Sequence, residues 1–202
     1  IKENSIQFAV SGSIDQYFID TKSVRYMKGK YTNPYINYDE NIIANSKWAF
    51  WSNEKIAIAG MTKKIEAYYS KNSLALGVGC YAIYEFANFN PKYLLGILNS
   101  KYVTYYMINK FKDKHLAGGY LAINKSTIEQ IPMIIAPKEV EEKIIQLVEK
   151  IMIKSKQYNS SKKFMLENEV INSMREIDNI VFDLFEIQAE KVKEIITFLE
   201  SY

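Results

Sequence analysis

The sequence predicts an α+β chain: a mixed β-sheet region with embedded helices, followed by an antiparallel helical hairpin and a short C-terminal helix. Three observations support this fold class. Up to residue 90, short apolar runs alternate with polar residues and stop at glycines, as strands and turns do. Beyond Asn90-Pro91, apolar residues recur every three to four positions. After Pro137, two apolar stripes of heptad-like spacing follow one another.

The candidate strands of the first part occur in a regular order. Residues 5–30 alternate in places and break at Gly12 and Gly29. Residues 55–60 form a compact apolar run that ends in glycine, and residues 65–69 and 74–83 continue the pattern. These segments are therefore predicted as strands of one sheet region.

A helical pattern then interrupts the strands. After residue 90 we predict an amphipathic helix of about twenty residues that is broken near its middle by an Asn-Ser pair. Residues 120–123 and 131–136 are predicted to be strands. Between them, Ser126 and Glu129 have the spacing of a capping box around one helical turn.

The remainder is predicted to be helical. Residues 140–158 and 162–185 each carry an apolar stripe and are joined by a polar turn, so they should pair as an antiparallel coiled coil. A last helix is predicted over residues 189–202. We expect two units: a domain of residues 1–136 and a helical spacer or docking segment of residues 137–202.

Net charge divides the chain in a similar way. The head (residues 1–133) has 16 Lys+Arg and 10 Asp+Glu, whereas residues 134–202 have 10 and 13, and together they give a net charge of +3. The head also contains 14 of the 16 tyrosines. Such asymmetry indicates a polyanion-binding surface, and an ordinary solvated surface explains the composition equally well.

Several classes of protein are excluded by composition. The 48% hydrophobic content is too high for a disordered chain, and a single cysteine excludes a disulfide scaffold. No apolar run approaches the roughly 18–20 residues of a membrane span. Because the chain begins with Ile1 and not Met, we expect it to be part of a longer polypeptide, in the reducing cytoplasm.

The residues of common active sites are also missing. His115 is the only histidine and has no acidic cluster beside it, which argues against a histidine metal site or a Ser-His-Asp triad. Cys80 has apolar neighbours that favour an inert thiol. The glycines of residues 77–79 lack the third glycine or lysine of a nucleotide loop. We therefore expect no catalysis from this chain alone.

The most informative segment is residues 101–125, which contain five lysines and one acidic residue, interleaved with aromatic side chains. Two interpretations of its Gly118-Gly119 pair remain open. Glycines allow backbone N–H groups to approach a phosphate, which flanking lysines would neutralise. Alternatively, the pair forms a tight turn after a helix whose last carbonyls the lysines satisfy.

Three short stretches carry a family resemblance. Residues 94–101 (Leu-Leu-Gly-Ile-Leu-Asn-Ser-Lys), 114–120 and 128–132 resemble the TaqI-like C-terminal specificity domain. That domain is the target-recognition domain of adenine-specific DNA methyltransferases and of fused type II restriction–modification enzymes. The chain is also similar to half of a type I restriction specificity subunit. One departure is Ala57 and Ala59, where the family usually has basic residues.

The resemblance implies sequence-specific recognition of double-stranded DNA in a bacterial phage-defence system. The chain would direct an adenine DNA methyltransferase or restriction endonuclease, in the same chain or another one. S-adenosylmethionine and Mg are then expected only in that catalytic partner, with no cofactor in this fragment. The alternative is an assembly module that uses its helical hairpin for protein interactions and does not read DNA.

The candidate DNA contacts are lysines and a few polar or aromatic residues of the head. Lysine neutralises phosphates as a point charge, and asparagine, lysine and tyrosine can contact base edges. The candidates are Lys28, Lys30, Lys63, Lys64, Tyr68, Lys71, Lys112, Lys114, His115, Asn124 and Lys125.

Overall fold

The computed structural model describes residues 4–112 and 118–202, and within these residues it confirms the α+β fold class. The strands are β1 (Ser5–Ala9), β2 (Ile14–Asp15), β3 (Phe18–Ile19), β4 (Val24–Tyr26), β5 (Gly29–Tyr31), β6 (Tyr35–Asn37), β7 (Lys55–Ala59), β8 (Met61–Thr62), β9 (Ala67–Ser70), β10 (Ala75–Leu76), β11 (Cys80–Ile83) and β12 (Leu121–Ala122). The helices are α1 (Asn45–Ser52), α2 (Pro91–Leu98), α3 (Lys101–Lys110), α4 (Lys125–Ile128), α5 (Lys138–Ser161), α6 (Phe164–Leu184) and α7 (Ala189–Ser201).

The longer strands form two three-stranded sheets. In the first, β1 pairs in parallel with β10 and antiparallel with β6, so this sheet is mixed. In the second, β7 lies between β11 and β9 and is antiparallel to both, with Ala57 opposite Ala82 and Tyr68. Strand β7 is buried along its whole length, in agreement with its apolar residues 56–59. Its first residue, Lys55, is buried too, and its ammonium donates a hydrogen bond of 2.9 Å to the Trp51 carbonyl.

The predicted break in the first long helix is confirmed at Asn99 and Ser100, between α2 and α3. The Ser100 hydroxyl accepts a hydrogen bond from the Val103 N–H (3.2 Å) and so caps α3. The Asn99 amide exchanges two hydrogen bonds of 2.9 Å with the backbone of Ala67 in β9. The break therefore anchors both helices to the second sheet.

Helices α5 and α6 form the predicted antiparallel hairpin, hereafter the hairpin. Lys143 pairs with Glu176 at 2.8 Å near one end, and Lys154 pairs with Glu169 at 3.0 Å near the other. From the first pair to the second, the residue number rises in α5 and falls in α6, so the two helices run in opposite directions. Helix α7 packs on α3, where the rings of Tyr105 and Phe198 meet edge to face.

One predicted boundary and one predicted strand are wrong. Helix α5 continues through the predicted turn to Ser161, and the Ser160 and Ser161 hydroxyls donate hydrogen bonds to the carbonyls four residues back. The chain reverses instead at Lys162, whose φ of 53° is left-handed. Residues 131–136 form no strand, since no described strand lies beside them. The Ile134 carbonyl accepts a hydrogen bond of 2.8 Å from the Tyr93 hydroxyl instead.

The main hydrophobic core connects the head to the hairpin at Gly96. A Cβ at this position would lie 2.6 Å from Cγ2 of Ile144 and 3.3 Å from Cγ2 of Val148. Glycine thus permits α2 to approach α5 closely, and buried Leu95 and Ile177 belong to the same core. The predicted division after residue 136 stays a prediction. In the described part of the chain, no helix is long and apolar enough to cross a membrane.

Candidate nucleic-acid interface

A two-stranded ribbon positions the first pair of candidate lysines. Strand β8 pairs antiparallel with β12, Thr62 opposite Leu121. Lys63 and Lys64 follow β8 directly and are exposed in the bend that leads to β9. The Lys64 ammonium lies 3.3 Å from Oε1 of Gln16, an exposed contact of small energetic value. Both lysines therefore remain accessible to a ligand.

The glycine pair lies in the turn just before β12 and has a left-handed backbone, with φ of +82° at Gly118 and +77° at Gly119. The Gly119 carbonyl accepts a hydrogen bond of 2.7 Å from the Tyr202 hydroxyl. A tight turn held by the end of α7 is thus present. Candidate residues Lys114 and His115 lie outside the described residues, whereas Lys112 is described and exposed.

Asn124 and Lys125 lie just beyond β12, and the first of them has a structural role. The Asn124 side-chain oxygen accepts from the Thr127 N–H at 3.2 Å, and the Thr127 hydroxyl accepts from the Asn124 N–H at 2.9 Å. This capping box replaces the predicted one of Ser126 and Glu129, because the extended backbone that a cap requires occurs at Asn124. Lys125 is exposed, 3.8 Å from Glu129.

Four cations share a cavity of about 510 Å³ between the head and the hairpin, hereafter the junction cavity. Lys63 and Lys64 line it from the bend after β8, Lys101 from the start of α3 and Arg175 from α6. The sequence predicts only the first two as DNA contacts. Lys101 belongs to the basic segment 101–125, whereas the proximity of Arg175 depends on tertiary packing alone.

Two carboxyl groups line the same cavity, and burial raises the pKa of each. Burial raises the pKa of Glu66 to about 7; the Asp15 carboxylate raises it further and Lys64 opposes the shift. Burial also raises the pKa of Asp178 to about 6, opposed by the backbone hydrogen bond from Lys101. Because cations outnumber carboxylates, the junction cavity is positive and favours an anionic group such as a phosphate.

Lys28 and Lys30 belong to a different part of the head. They lie in the β4–β5 hairpin, where Lys30 is paired with Arg25 across the strands and Lys28 is in the exposed turn. Val24 of this ribbon is buried in a small hydrophobic core that also contains Trp51. The structure therefore presents three basic side chains on one ribbon that does not line the junction cavity.

Tyr68 lines a second opening, a cleft of about 520 Å³ between the head and α5, hereafter the amide cleft. Its main polar lining is Gln7, Asp20, Thr21, Lys22, Asn33, Lys156, Asn159 and Ser160. Tyr68 is half-buried, and burial raises the pKa of its hydroxyl. Lys71 is exposed in the bend after β9. The structure therefore distributes the candidates over several surfaces.

Comparison with known protein families matches residues 14–133, more than half of the chain, to the TaqI-like C-terminal specificity domain. The chain belongs to this family. No curated protein sequence matches it. Among solved structures, this specificity domain is similar to the "Type IIL restriction-modification enzyme MmeI in complex with DNA", with a TM-score of 0.63 and 10% identity. The match covers 99% of this chain and 30% of that one, and at this identity it establishes the fold.

The described candidates all lie within the matched part of the specificity domain, from Lys28 to Lys125. Arg175 and Asp178 lie beyond residue 133, so the junction cavity joins the matched region to the hairpin. Among the described residues, no group of three or more His, Cys, Asp or Glu side chains is placed to hold a metal ion.

Proposed function

We propose that this specificity domain recognises a defined sequence in double-stranded DNA. It would direct an adenine DNA methyltransferase or restriction endonuclease that is fused to it or associated with it. The observation that carries the proposal is the family match over residues 14–133. The likeness in fold to a restriction–modification enzyme whose structure contains DNA supports it.

The arrangement of charge agrees with such a role. Lys63, Lys64 and Lys112 are exposed on the head, and lysines on a duplex mainly neutralise phosphates and set the position of the protein. Sequence readout would then depend on the neighbouring polar and aromatic side chains of the head. Because the Asn124 side-chain oxygen already caps α4, base recognition is expected to use other amides more than this one.

Catalysis is assigned to the partner domain in this proposal. Methyl transfer would require S-adenosylmethionine, and cleavage would require Mg, both bound by the catalytic domain outside these residues. The chain itself would contribute the choice of DNA site. This division predicts that the isolated chain binds DNA without modifying it.

The test is selection of bound duplexes from a library with a randomised central segment, in the presence of unrelated competitor DNA. A sequence-specific domain should enrich one short motif, and duplexes with that motif should bind about 10³-fold or more tighter than unrelated DNA. The matched control is the Lys63→Gln/Lys64→Gln variant, which should bind the same motif more weakly. Absence of any enriched motif would refute the proposal.

A further inference from the structure

The end of the hairpin, residues 150–166, has an unusual charge pattern. It contains five lysines and no aspartate or glutamate, although residues 134–202 as a whole are acidic. The lysines are Lys150, Lys154, Lys156, Lys162 and Lys163. The acidic balance of the hairpin therefore conceals one strongly basic end.

Most of this charge is available to a ligand. Lys154 pairs with Glu169, and the Lys162 ammonium contacts the Asn159 side-chain oxygen at 3.1 Å. Lys156 and Lys163 are exposed, and neither has an ion pair within residues 4–112 and 118–202. An unpaired, fully hydrated lysine can neutralise a phosphate without first losing another partner.

Large apolar side chains accompany these lysines. Phe164 is 72% exposed and Met165 is 77% exposed, at the first turn of α6. They line a surface groove of about 870 Å³ together with Lys156, Lys163 and the ion-paired Glu169. Exposed apolar side chains of this size at one place indicate a surface that another molecule covers.

The hairpin end is also continuous with the head. Lys156, Asn159 and Ser160 form one wall of the amide cleft, and Lys22 and Asn33 belong to the opposite wall, together with one acidic residue, Asp20. A molecule that occupied the cleft would touch the hairpin end and the head together. Amide side chains and lysines on facing walls match the hydrogen-bonding edges and the phosphates of nucleic acid.

We propose that the hairpin end is a second DNA-binding surface, which contacts the same duplex as the head. This inference rests on the proposed function. Lys156 and Lys163 would contact phosphates, and Phe164 and Met165 would make apolar contact within a groove, as apolar wedges of other DNA-binding proteins do. Duplex DNA suits both features. Lysines outnumber acidic residues at the hairpin end, and Lys156 and Lys163 have no ion pair among the described residues, so the surface attracts a polyanion. A groove of the duplex would offer apolar sugar and base surfaces to the two apolar side chains.

The test measures the binding of the 202-residue chain to a mixed-sequence duplex of about 30 base pairs, three helical turns, as a function of salt. The Lys156→Gln/Lys163→Gln variant should lower the log–log salt slope by about 1.8, two phosphate contacts, and weaken binding by at least about tenfold. The matched control, Lys138→Gln/Lys193→Gln, changes two exposed lysines elsewhere on the helices and should keep the wild-type slope.

The Phe164→Ser/Met165→Ser variant separates the apolar contribution. It should weaken duplex binding several-fold at an unchanged salt slope, because no phosphate contact is lost. Both side chains are exposed, so the variant should keep the wild-type circular dichroism and unfolding midpoint.

A clear set of results would overturn the inference. If the Lys156→Gln/Lys163→Gln variant keeps the salt slope and the affinity of the wild type, the hairpin end does not belong to the DNA interface. Loss of self-association in sedimentation by the Phe164/Met165 variant, with unchanged duplex binding, would identify the surface as a protein contact. Failure of the wild-type chain to bind any duplex would refute the proposed function itself. That result differs from failure of the present inference, in which the wild-type chain binds DNA and the lysine variant binds it equally well.

Discussion

The carboxylate of Asp178 in α6 accepts a hydrogen bond of 2.8 Å from the backbone N–H of Lys101, the first residue of α3. Asp178 is only 9% exposed, so the hairpin supplies a buried acceptor to a helix of the head 77 residues earlier in the sequence. An amide N–H in the first turn of a helix has no partner within that helix. This contact therefore links the two parts of the specificity domain.

Replacement of Asp178 by alanine should reduce the free energy of unfolding by about 1–3 kcal/mol, because the Lys101 N–H loses its acceptor in a buried position. Asp178→Asn keeps an acceptor oxygen and removes a buried charge, so it should remain within about 1 kcal/mol of wild type. Urea denaturation of both variants is the measurement. An equal loss of unfolding free energy in the two variants would contradict the role of Asp178 as the acceptor for the Lys101 N–H.

Stability should fall as pH rises from about 5 to about 7. Burial raises the pKa of Glu66 to about 7 and that of Asp178 to about 6, so the folded state binds these protons more tightly than the unfolded chain. The resulting stabilisation is fully present below the unfolded pKa values and is lost as pH passes through the folded ones. Thermal unfolding across this range should show the fall, and Glu66→Gln should make it shallower. An equally steep fall in that variant would count against this assignment.

Gly96→Ala should destabilise the fold although alanine favours helices. Overpacking against Ile144 costs about 1–3 kcal/mol, which exceeds the roughly 1 kcal/mol gained from helix propensity. Adding Ile144→Leu removes the Cγ2 methyl and should recover part of the loss. Gly12→Ala is the matched control, because a Cβ there meets no atom within 4 Å. Chemical denaturation of the four proteins measures these differences, and a stabilised Gly96→Ala variant would argue against close packing here.

The head lysines should control the salt dependence of duplex binding. Lys63→Gln with Lys64→Gln, and separately Lys112→Ala with Lys114→Ala, should each reduce the log–log slope by about 0.9 per lost phosphate contact. Fluorescence anisotropy at several salt concentrations gives the slope. The Lys138→Gln/Lys193→Gln protein again serves as the reference. A slope equal to that of wild type would remove the altered pair from the interface.

Cys80 should react slowly with iodoacetamide in the folded protein. Burial raises the pKa of its thiol to about 12, opposed by a hydrogen bond with Gly77, so very little reactive thiolate is present near pH 8. Alkylation should be about a hundredfold slower or more than in urea-unfolded chain, as followed by mass spectrometry. Comparable rates in the two states would show that the thiol is exposed and reactive.

The sequence by itself determined the elements whose cause is local. The three- to four-residue periodicity of the apolar stripes predicted α5, α6 and α7, and the Asn99-Ser100 pair predicted the break between α2 and α3, because periodicity and capping act over a few residues. The family resemblance, carried by short stretches of residues 94–132, was confirmed over residues 14–133.

Tertiary structure decided what no local pattern contains. Residues 131–136 read as a strand yet have no described strand to pair with, since strand pairing depends on distant segments. The junction cavity assembles Lys64 of the head with Arg175 of the hairpin, 111 positions apart in the printed sequence. The basic hairpin end is contiguous in the sequence, but only the tertiary structure places it beside Lys22 and Asn33 of the head. Burial, charge proximity and close packing at Gly96 arise only when separate segments meet, and these properties define the candidate surfaces of this specificity domain.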